Sequence, residues 1–390
     1  MIIKGVTYKQ KEQILSQALL RARPLTDHQE FTGSSPAPFV GRFGYPYVNV
    51  GILAPTVHDD NAWLYDAPRH WAKNNLGISD VVDYRTAMIN SRFTSNVKQP
   101  DKLVEIAQDV AMAARPVDVE VELEKKPSLN IQTDQWVAPM GPQAKLKELQ
   151  LASNPRIPTK VQKFFDDKDS LAVEALTELY KHAIDENALS RMLSVGVFGK
   201  NRRLVPTRWR ITATDDILAN NFLEKVREQT IGDYAAYFGS YLGNYYLILL
   251  FPERWSYELF EMYVGKPDVL EYSTDFEEFE GRKSYAENCV GGYYTVRMAV
   301  AEHLMNAKKQ NSVLVLRFIT DEYVLPLGVW VTREAARKAL ANKPISFASR
   351  ELMLHYAQIL SQKKFGVDIS PILQKSKLLK EKQRTIGSFI

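Results

Sequence analysis

Cysteine is nearly missing from this chain, and its scarcity narrows the possible chemistry. The 390 residues include one cysteine, Cys289, so no internal disulfide can form and no thiolate zinc cluster can be built. This usage is typical of proteins kept in a reducing compartment, and we expect a cytoplasmic location. The six histidines are scattered and no HExxH pattern occurs, so we expect no metal site.

Long apolar runs and a strong net charge are also missing. No stretch of about 18 uncharged apolar residues occurs, so we expect no membrane-spanning helix and no membrane partner. The formal net charge of +4 indicates a nucleic-acid partner only if the charge is concentrated in one place. A hydrophobic content of 45% is typical of globular chains, and it allows a core of good size.

The hydrophobic patterning predicts a mixed α+β fold. Helical spacing of apolar residues occurs in 9–23 and 349–365, whereas 312–319 and 323–332 have the composition of strands. The stretch 233–252 predicts a β-hairpin around Gly243 and Asn244. We therefore expect a large mixed α/β body with a strand-rich centre, flanking helices and a flexible C-terminal tail.

Prolines recur between residues 116 and 158, where "VDVEVELEKKP" alternates as a strand does. This stretch is either a long, partly irregular connection or a strand-containing insertion.

The densest basic segment is "GKNRRLVPTRWRITATDD", at 199–216. The alternation in "RWRITAT" predicts a strand with Arg208 and Arg210 on one side and Trp209 on the other. Two guanidiniums on one face suit phosphates, and the nearby ring of Trp209 suits a stacked base. A solvated edge strand is the alternative, because cationic edges discourage sheet-to-sheet pairing. Asp215 and Asp216 are predicted to cap the next helix. The candidate nucleic-acid-binding residues are Lys200, Arg202, Arg203, Arg208 and Arg210.

A second group of arginines suggests a ligand pocket. In a helix over 83–93, Arg85 and Arg92 would lie two turns apart on one face and could hold an anion. Arg42 lies in a glycine- and aromatic-rich stretch of the kind that lets backbone approach a ligand closely. Pairing with surface carboxylates is the alternative. No nucleophile, base and orienting group can be assembled, so catalytic residues and cofactors stay unassigned.

The tail "QRTIGSFI" has the spacing of a sliding-clamp ligand. One 3₁₀ turn brings the aliphatic and aromatic side chains together as a plug, while the glutamine can hydrogen-bond to a groove. The alternative is a last helical turn on the protein's own surface, although Gly387 and the preceding lysines argue against it. An aromatic residue is usual at the last position, so the isoleucine there predicts weakened binding. The expected contacts with the clamp PCNA are Gln383, Ile386, Phe389 and Ile390.

Six stretches together resemble the archaeal Nre family over nearly the full length. They include "FVGRFGYPYVNVG", "WLYDAPRHW", "DYRTAMINSR" and "SVGVFGKNRRLVPTRWRITATDD", with "YAENCVGGYYTVRMAVAEHL" and "YVLPLGVWVTREAARKAL" in the C-terminal part. The resemblance implies a role in DNA repair, a PCNA-interacting motif and no metal site, since this chain lacks the N-terminal cysteine cluster of some relatives. It also implies an N-terminal region at 1–272, a C-terminal region at 273–372 and a basic tail at 373–390.

Three hypotheses for function follow. The protein is a clamp-recruited repair factor whose body binds DNA or a nucleotide, or an enzyme acting on nucleic acid or a nucleotide. Nucleotidyl or ADP-ribosyl transfer would suit arginines beside aromatic rings, although no motif selects it. A repair adaptor is the third possibility. A pocket lined by arginines would favour the enzyme, whereas a flat basic stripe would favour binding alone.

Overall fold

The protein folds as two compact units, each described by itself below. The first contains residues 9–218 and 325–328, and the second contains residues 219–324 and 329–390 with the first eight. A computed structural model describes residues 8–98, 101–129, 138–264 and 271–380.

The first unit contains six strands and most of the shorter helices. The strands are β1 (Glu30–Ser35), β2 (Ala37–Val40), β3 (Tyr47–Ala54), β4 (Ile89–Asn96), β5 (Val117–Leu123) and β6 (Gln143–Leu151). The helices are α1 (Tyr8–Ala22), α2 (Pro68–Lys73), α3 (Ile78–Thr86), α4 (Lys102–Met112), α5 (Thr159–Asp166), α6 (Ala172–Lys181), α7 (Glu186–Ser194) and α8 (Thr207–Val226), with 3₁₀ turns at Arg23–Asp27 and Ala62–Asp66.

These six strands form one mixed sheet in the order β1-β5-β6-β4-β3-β2, in which β4 and β6 are parallel. β5 shows why the sequence forms a strand, because its valines and Leu123 are buried at alternate positions while the carboxylates between them reach solvent. The proline-punctuated stretch 116–158 thus contains two paired strands, β5 and β6.

The second unit contains the remaining elements. Its strands are β7 (Thr230–Ile231), β8 (Ala235–Tyr241), β9 (Asn244–Phe251), β10 (Ser256–Tyr263), β11 (Tyr272–Glu277), β12 (Lys309–Gln310), β13 (Ser312–Ile319) and β14 (Ile345–Ser346). Its helices are α9 (Gly291–Ala307), α10 (Trp330–Ala341), α11 (Arg350–Phe365), α12 (Ser370–Lys375) and α13 (Lys377–Lys380), together with the last part of α8.

The larger sheet of the second unit is covered on both faces. Its strand order is β11-β10-β13-β9-β8-β14, with β10 parallel to β13, and β7 pairs separately with β12. One face packs against α11, α12 and α13, while α10 packs against β8 and β9. Burial on both faces explains why β9 and β13 are nearly continuous apolar runs in the sequence.

Most of the element predictions agree with this structure, and the mixed α+β fold is confirmed. The predicted hairpin is β8 and β9, and its two-residue turn is Leu242 and Gly243, one position earlier than expected. Both turn residues have positive φ, which is the geometry of the type I′ turn that matches the twist of paired strands. The helices over 9–23 and 349–365 and the strand over 312–319 are also present.

The strand predicted at 208–214 is wrong, because this segment opens the twenty-residue helix α8. Residues two apart on a helix point about 200° away from each other, so Arg208 is exposed while Arg210 is buried. Asp215 and Asp216 lie inside the helix and do not cap its start. Seven residues are too few to distinguish the two-residue period of a strand from the 3.6-residue period of a helix. Tertiary packing then overrode the weak helix propensity of the β-branched residues.

The strand predicted at 323–332 is also wrong. Residues 321–329 form turns and irregular backbone, and α10 starts at Trp330. Pro326 has no backbone N–H for a sheet ladder, and Gly328 has a φ of 103°, so neither residue suits a strand interior. The two compact units divide within α8, which differs from the regions 1–272 and 273–372, and those regions stay a prediction.

Substitution of Gly33 tests how closely the first sheet packs against the backbone at Pro55. A β-carbon added at Gly33, in β1, would lie 1.8 Å from the backbone oxygen of Pro55, which cannot move without shifting the chain. We expect Gly33→Ala to lower the free energy of unfolding by about 1–3 kcal/mol or more, measured by denaturant titration. Gly77→Ala is the control, since its nearest contact would be 3.5 Å away, and equal stability of both variants would contradict this packing.

Candidate nucleic-acid interface

Three aromatic side chains project from the turn between β2 and β3. Phe43, Tyr45 and Tyr47 are 72%, 56% and 59% exposed, although the strands on both sides are largely buried. Gly44, with a φ of 91°, lets the backbone N–H of Tyr47 donate to its oxygen at 2.8 Å, so the turn closes on itself. The guanidinium of Arg42 lies 4.6 Å from the centre of the Phe43 ring. We call residues 42–47 the aromatic turn.

The first turn of α8 is bonded to the end of β2. The backbone N–H of Val40 donates to Oγ1 of Thr207 at 3.0 Å, which fixes the start of the helix beside the strand that leads into the aromatic turn. The next two residues, Arg208 and Trp209, are exposed, the indole by 50%. An exposed indole beside a guanidinium offers both a stacking face and a phosphate contact.

The basic loop before α8 is bonded to the same place. The backbone N–H of Leu204 donates to the oxygen of Val97 at 3.1 Å, and the N–H of Val97 donates to the oxygen of Pro46 at 3.0 Å. Lys200 and Arg203 are exposed in this loop. Two backbone hydrogen bonds therefore join the loop to the aromatic turn. We call the resulting set the aromatic–basic surface, and its members are Arg42, Phe43, Tyr45, Tyr47, Lys200, Arg203, Arg208 and Trp209.

Two of the five predicted basic residues have other surroundings. Arg202 donates to the backbone oxygen of Phe165 at 2.5 Å, and its guanidinium lies 4.9 Å from the centre of the Phe165 ring. Burial lowers the pKa of Arg202, and nearby Asp166 and Asp167 oppose that shift. Arg210 is 5% exposed and cannot reach a nucleic-acid backbone outside the fold.

The arginines of the predicted pocket lie on three different elements. Arg42 is in the aromatic turn, Arg85 is near the end of α3, and Arg92 is in β4. The shared helix face predicted for Arg85 and Arg92 is therefore wrong, because α3 ends at Thr86. Arg85 donates to the oxygen of Leu327 at 2.7 Å. Burial lowers the pKa of Arg92, which is half-buried. A ligand-binding role for these three residues stays a prediction.

The predicted clamp ligand, Gln383, Ile386, Phe389 and Ile390, lies outside the described residues, but the segment before it is fixed in the second unit. Glu258 of β10 is 1% exposed and accepts hydrogen bonds from the hydroxyl of Ser376 at 2.5 Å and from the N–H groups of Lys377 and Leu378 at 3.0 Å. Burial raises the pKa of Glu258, and the three hydrogen bonds oppose that shift. Helix α13 is therefore anchored by a buried carboxylate.

The sequence pattern showed aromatic residues beside the glycines and Arg42 of "GRFGYPY", but the exposure of the three rings was not predicted. Their spacing of two residues around a glycine and a proline was the available signal, since such a turn cannot bury all three rings. Within the described ranges, no group of three or more histidine, cysteine or acidic residues could hold a metal ion. In the same ranges, no helix is both long and apolar enough to cross a membrane.

Comparisons with known proteins cover almost the whole chain. A family model described as "Archaeal Nre, N-terminal" matches residues 10–267, and one described as "Archaeal Nre, C-terminal" matches residues 277–389. No solved structure matches the chain.

Three curated relatives are similar over most of their length. "DNA repair protein NreB" of Archaeoglobus fulgidus is 35% identical over 382 residues, which cover 95% of this chain and 94% of the relative. "DNA repair protein NreA" of Haloferax volcanii is 37% identical over 80% of this chain and 78% of the relative. The NreA of Archaeoglobus fulgidus is 37% identical over 81% of each.

The different surroundings of Arg202 and Arg208 predict different effects on stability. Arg202→Ala removes a charge-assisted hydrogen bond and a ring contact, and we expect it to lower the free energy of unfolding by about 1–2 kcal/mol. Arg208→Ala should change it by less than about 0.5 kcal/mol, because the side chain is exposed. Thermal unfolding of both variants checks this, and the reverse order of stability would contradict the assigned contacts.

Proposed function

The chain belongs to the archaeal Nre family, and we propose that it acts in DNA repair, held on the sliding clamp PCNA by its tail while its body contacts DNA. The names of the curated relatives support the repair role. Work on chromosomal DNA implies a cytoplasmic location in an archaeal cell.

The tail sequence supports docking on the clamp. Gln383, Ile386 and Phe389 have the spacing of a glutamine that bonds to a groove and of two side chains that fill its pocket. Lysines and an arginine around them add positive charge where DNA threaded through a clamp would lie. The motif starts three residues after the end of α13, which Glu258 holds. A short connection to an anchored helix keeps the second unit close to a bound clamp.

The main support for a DNA contact is that the basic loop and the aromatic turn are both hydrogen-bonded to the backbone of Val97. Phosphate contacts need mobile, exposed cations, which Lys200, Arg203 and Arg208 provide. The exposed rings of the same surface add faces on which unpaired bases can stack. Stacking requires bases that are free of a duplex, so the surface favours single-stranded or branched DNA over intact duplex.

If the tail docks on the clamp, binding to the clamp should depend strongly on Phe389. We expect Phe389→Ala, and a chain ending at Lys382, to lose calorimetric binding to purified clamp, because the aromatic plug provides most of the buried area. The melting temperature of the body should not change.

Two further variants calibrate the measurement. Ser388→Ala changes a spacer position and should bind as the wild type does. Ile390→Phe should bind more tightly, because a ring fills more of the pocket than a branched aliphatic side chain. Undiminished binding by the chain ending at Lys382 would rule out the tail as the tether.

If the aromatic–basic surface contacts DNA, its rings and its positive charges should affect DNA binding in different ways. Replacing Phe43 and Tyr47 together with alanine should weaken binding to a single-stranded oligonucleotide by about 1–3 kcal/mol per lost stack, and binding to duplex much less. Replacing Arg203 and Arg208 together should weaken both and reduce the salt slope by about one unit per lost phosphate contact. Fluorescence anisotropy over a series of salt concentrations measures both effects.

The controls are an exposed ring and an exposed arginine outside this surface. Tyr285→Ala tests whether any exposed aromatic side chain matters, and Arg115→Ala tests whether any exposed positive charge matters. If these controls weaken binding as much as the surface variants, the assigned interface is incorrect.

A further inference from the structure

Arg210 is a buried cation with unused hydrogen-bond donors. It is 5% exposed, and neither Nε nor Nη1 has a hydrogen-bond partner among the described residues. A buried charged group whose donors lack hydrogen-bond partners destabilises a fold. Arg210 also lies in the first turn of α8, where the aligned peptide dipoles place positive potential that further disfavours a cation. An oxyanion would remove both penalties.

Nearby carboxylates do not balance this charge. Among the described residues, Asp66 is the carboxylate that raises the pKa of Arg210, and it already accepts from Arg191 at 3.3 Å and from the amide of Asn187 at 3.2 Å. Arg191 and Arg85 act in the opposite direction. Burial, with these two like charges, lowers the pKa of Arg210 to about 10 despite Asp66. Arg210 thus lies within electrostatic range of two further guanidiniums and of Asp66, whose Oδ2 already pairs with Arg191.

Other buried donors lie on the same two helices as Arg191 and Arg210. Nε of Arg191, Oγ of Ser190 and Oγ1 of Thr214 are buried with no hydrogen-bond partner in the described part of the chain. Thr214 follows Arg210 by one turn of α8, so both side chains are on the same helix face. Ser190 and Arg191 are neighbours on α7. Guanidinium forks with hydroxyl groups are the donors that bind phosphoryl oxygens well.

We propose that Arg85, Arg191 and Arg210 form an enclosed binding site for a phosphoryl group, supplied either by a free phosphate or by a nucleotide. The low exposure of Arg210 favours a small ligand over a nucleic-acid backbone. The site is thus separate from the aromatic–basic surface and does not depend on the proposed DNA contact. This arrangement does not require the shared helix face expected from the sequence, since the three arginines come from α3, α7 and α8.

An open pocket is lined by sequence neighbours of Asp66 and Arg85, but none of the three arginines lines it. Its volume is 390 Å³, and its walls include Tyr65 and Tyr84, which directly precede Asp66 and Arg85. Their rings lie edge to face with centres 5.6 Å apart. Asp80 and Asp83 of α3 also line the pocket, but Asp80 accepts from the backbone N–H of Gly77 and Asp83 pairs with Arg21. The pocket therefore does not favour a nucleotide over a free phosphate.

Binding of small anions to the full-length protein tests the proposal. Calorimetry and thermal unfolding are measured with phosphate, pyrophosphate and ADP, against sodium chloride of equal ionic strength. We expect at least one anion to bind saturably and to raise the melting temperature. Tighter binding of ADP than of pyrophosphate would identify a nucleotide as the source, and equal binding would identify the free anion. If none of the three binds above the chloride baseline, the proposal fails.

The substitution Arg210→Met tests whether the anion binds at Arg210. Methionine fills similar space without the charge, so we expect affinity for the anion to fall roughly tenfold to a hundredfold. The variant's melting temperature without ligand should not fall, because an unbalanced charge has been removed. Arg115→Met is the matched control at an exposed arginine and should bind as the wild type does. Unchanged anion binding by folded Arg210→Met protein would overturn the assignment.

A second pair of variants covers the case in which Arg210→Met does not fold. Ser190→Ala and Arg191→Lys are milder changes, and each should weaken anion binding without a change in oligonucleotide binding. Loss of oligonucleotide binding together with anion binding would mean that the anion occupies the DNA surface, and it would contradict a separate site.

Discussion

The backbone of Val97 donates to Pro46 and accepts from Leu204, and the aromatic–basic surface depends on these two hydrogen bonds. They join three segments that are far apart in sequence: the turn after β2, the end of β4 and the loop before α8. The third connection, from Val40 to Thr207, fixes the start of α8. The exposed rings and the exposed cations are neighbours only because this backbone arrangement holds.

The start of α8 divides its arginines between two environments. Arg208 faces solvent, where it can contact a phosphate and be screened by salt. Arg210, two residues later, is buried within electrostatic range of Asp66, Arg191 and Arg85. A single change of secondary structure, from the predicted strand to a helix, thus separates one basic stripe into an exposed arginine, which we propose contacts DNA, and a buried arginine, which we propose binds an anion. The two roles use the same helix but different faces of it.

The second unit holds the last described helices by ordinary packing. Its central strands are covered on both sides, and α11, α12 and α13 contribute residues such as Met353, Phe365 and Leu378 to the core. Glu258, buried in β10, then receives the N-terminal N–H groups of α13, a common use for a carboxylate at the positive end of a helix. A clamp-binding tail attached here would be tethered to the rigid part of the unit.

The sequence by itself determined the elements whose pattern is local. The apolar run of β13, the alternation of β5 and the Leu242–Gly243 turn each depend on residues next to one another, so the strands and the hairpin were predictable. The Nre resemblance was also readable from continuous stretches, and the family models match it. The basic segment was recognised as important for the same reason, since its arginines are close in sequence.

Only the tertiary structure decided which side chains of that segment are exposed. The seven residues "RWRITAT" are too short a stretch for their pattern to distinguish a strand from a helix. Packing against distant residues selected the helix. The electrostatic surroundings of Arg210 come from residues of α3, α7 and the turn at Asp66, and the setting of the exposed aromatic turn depends on Val97 and Thr207. Burial and hydrogen bonding between segments 50 to 170 residues apart are long-range properties that no local pattern contains.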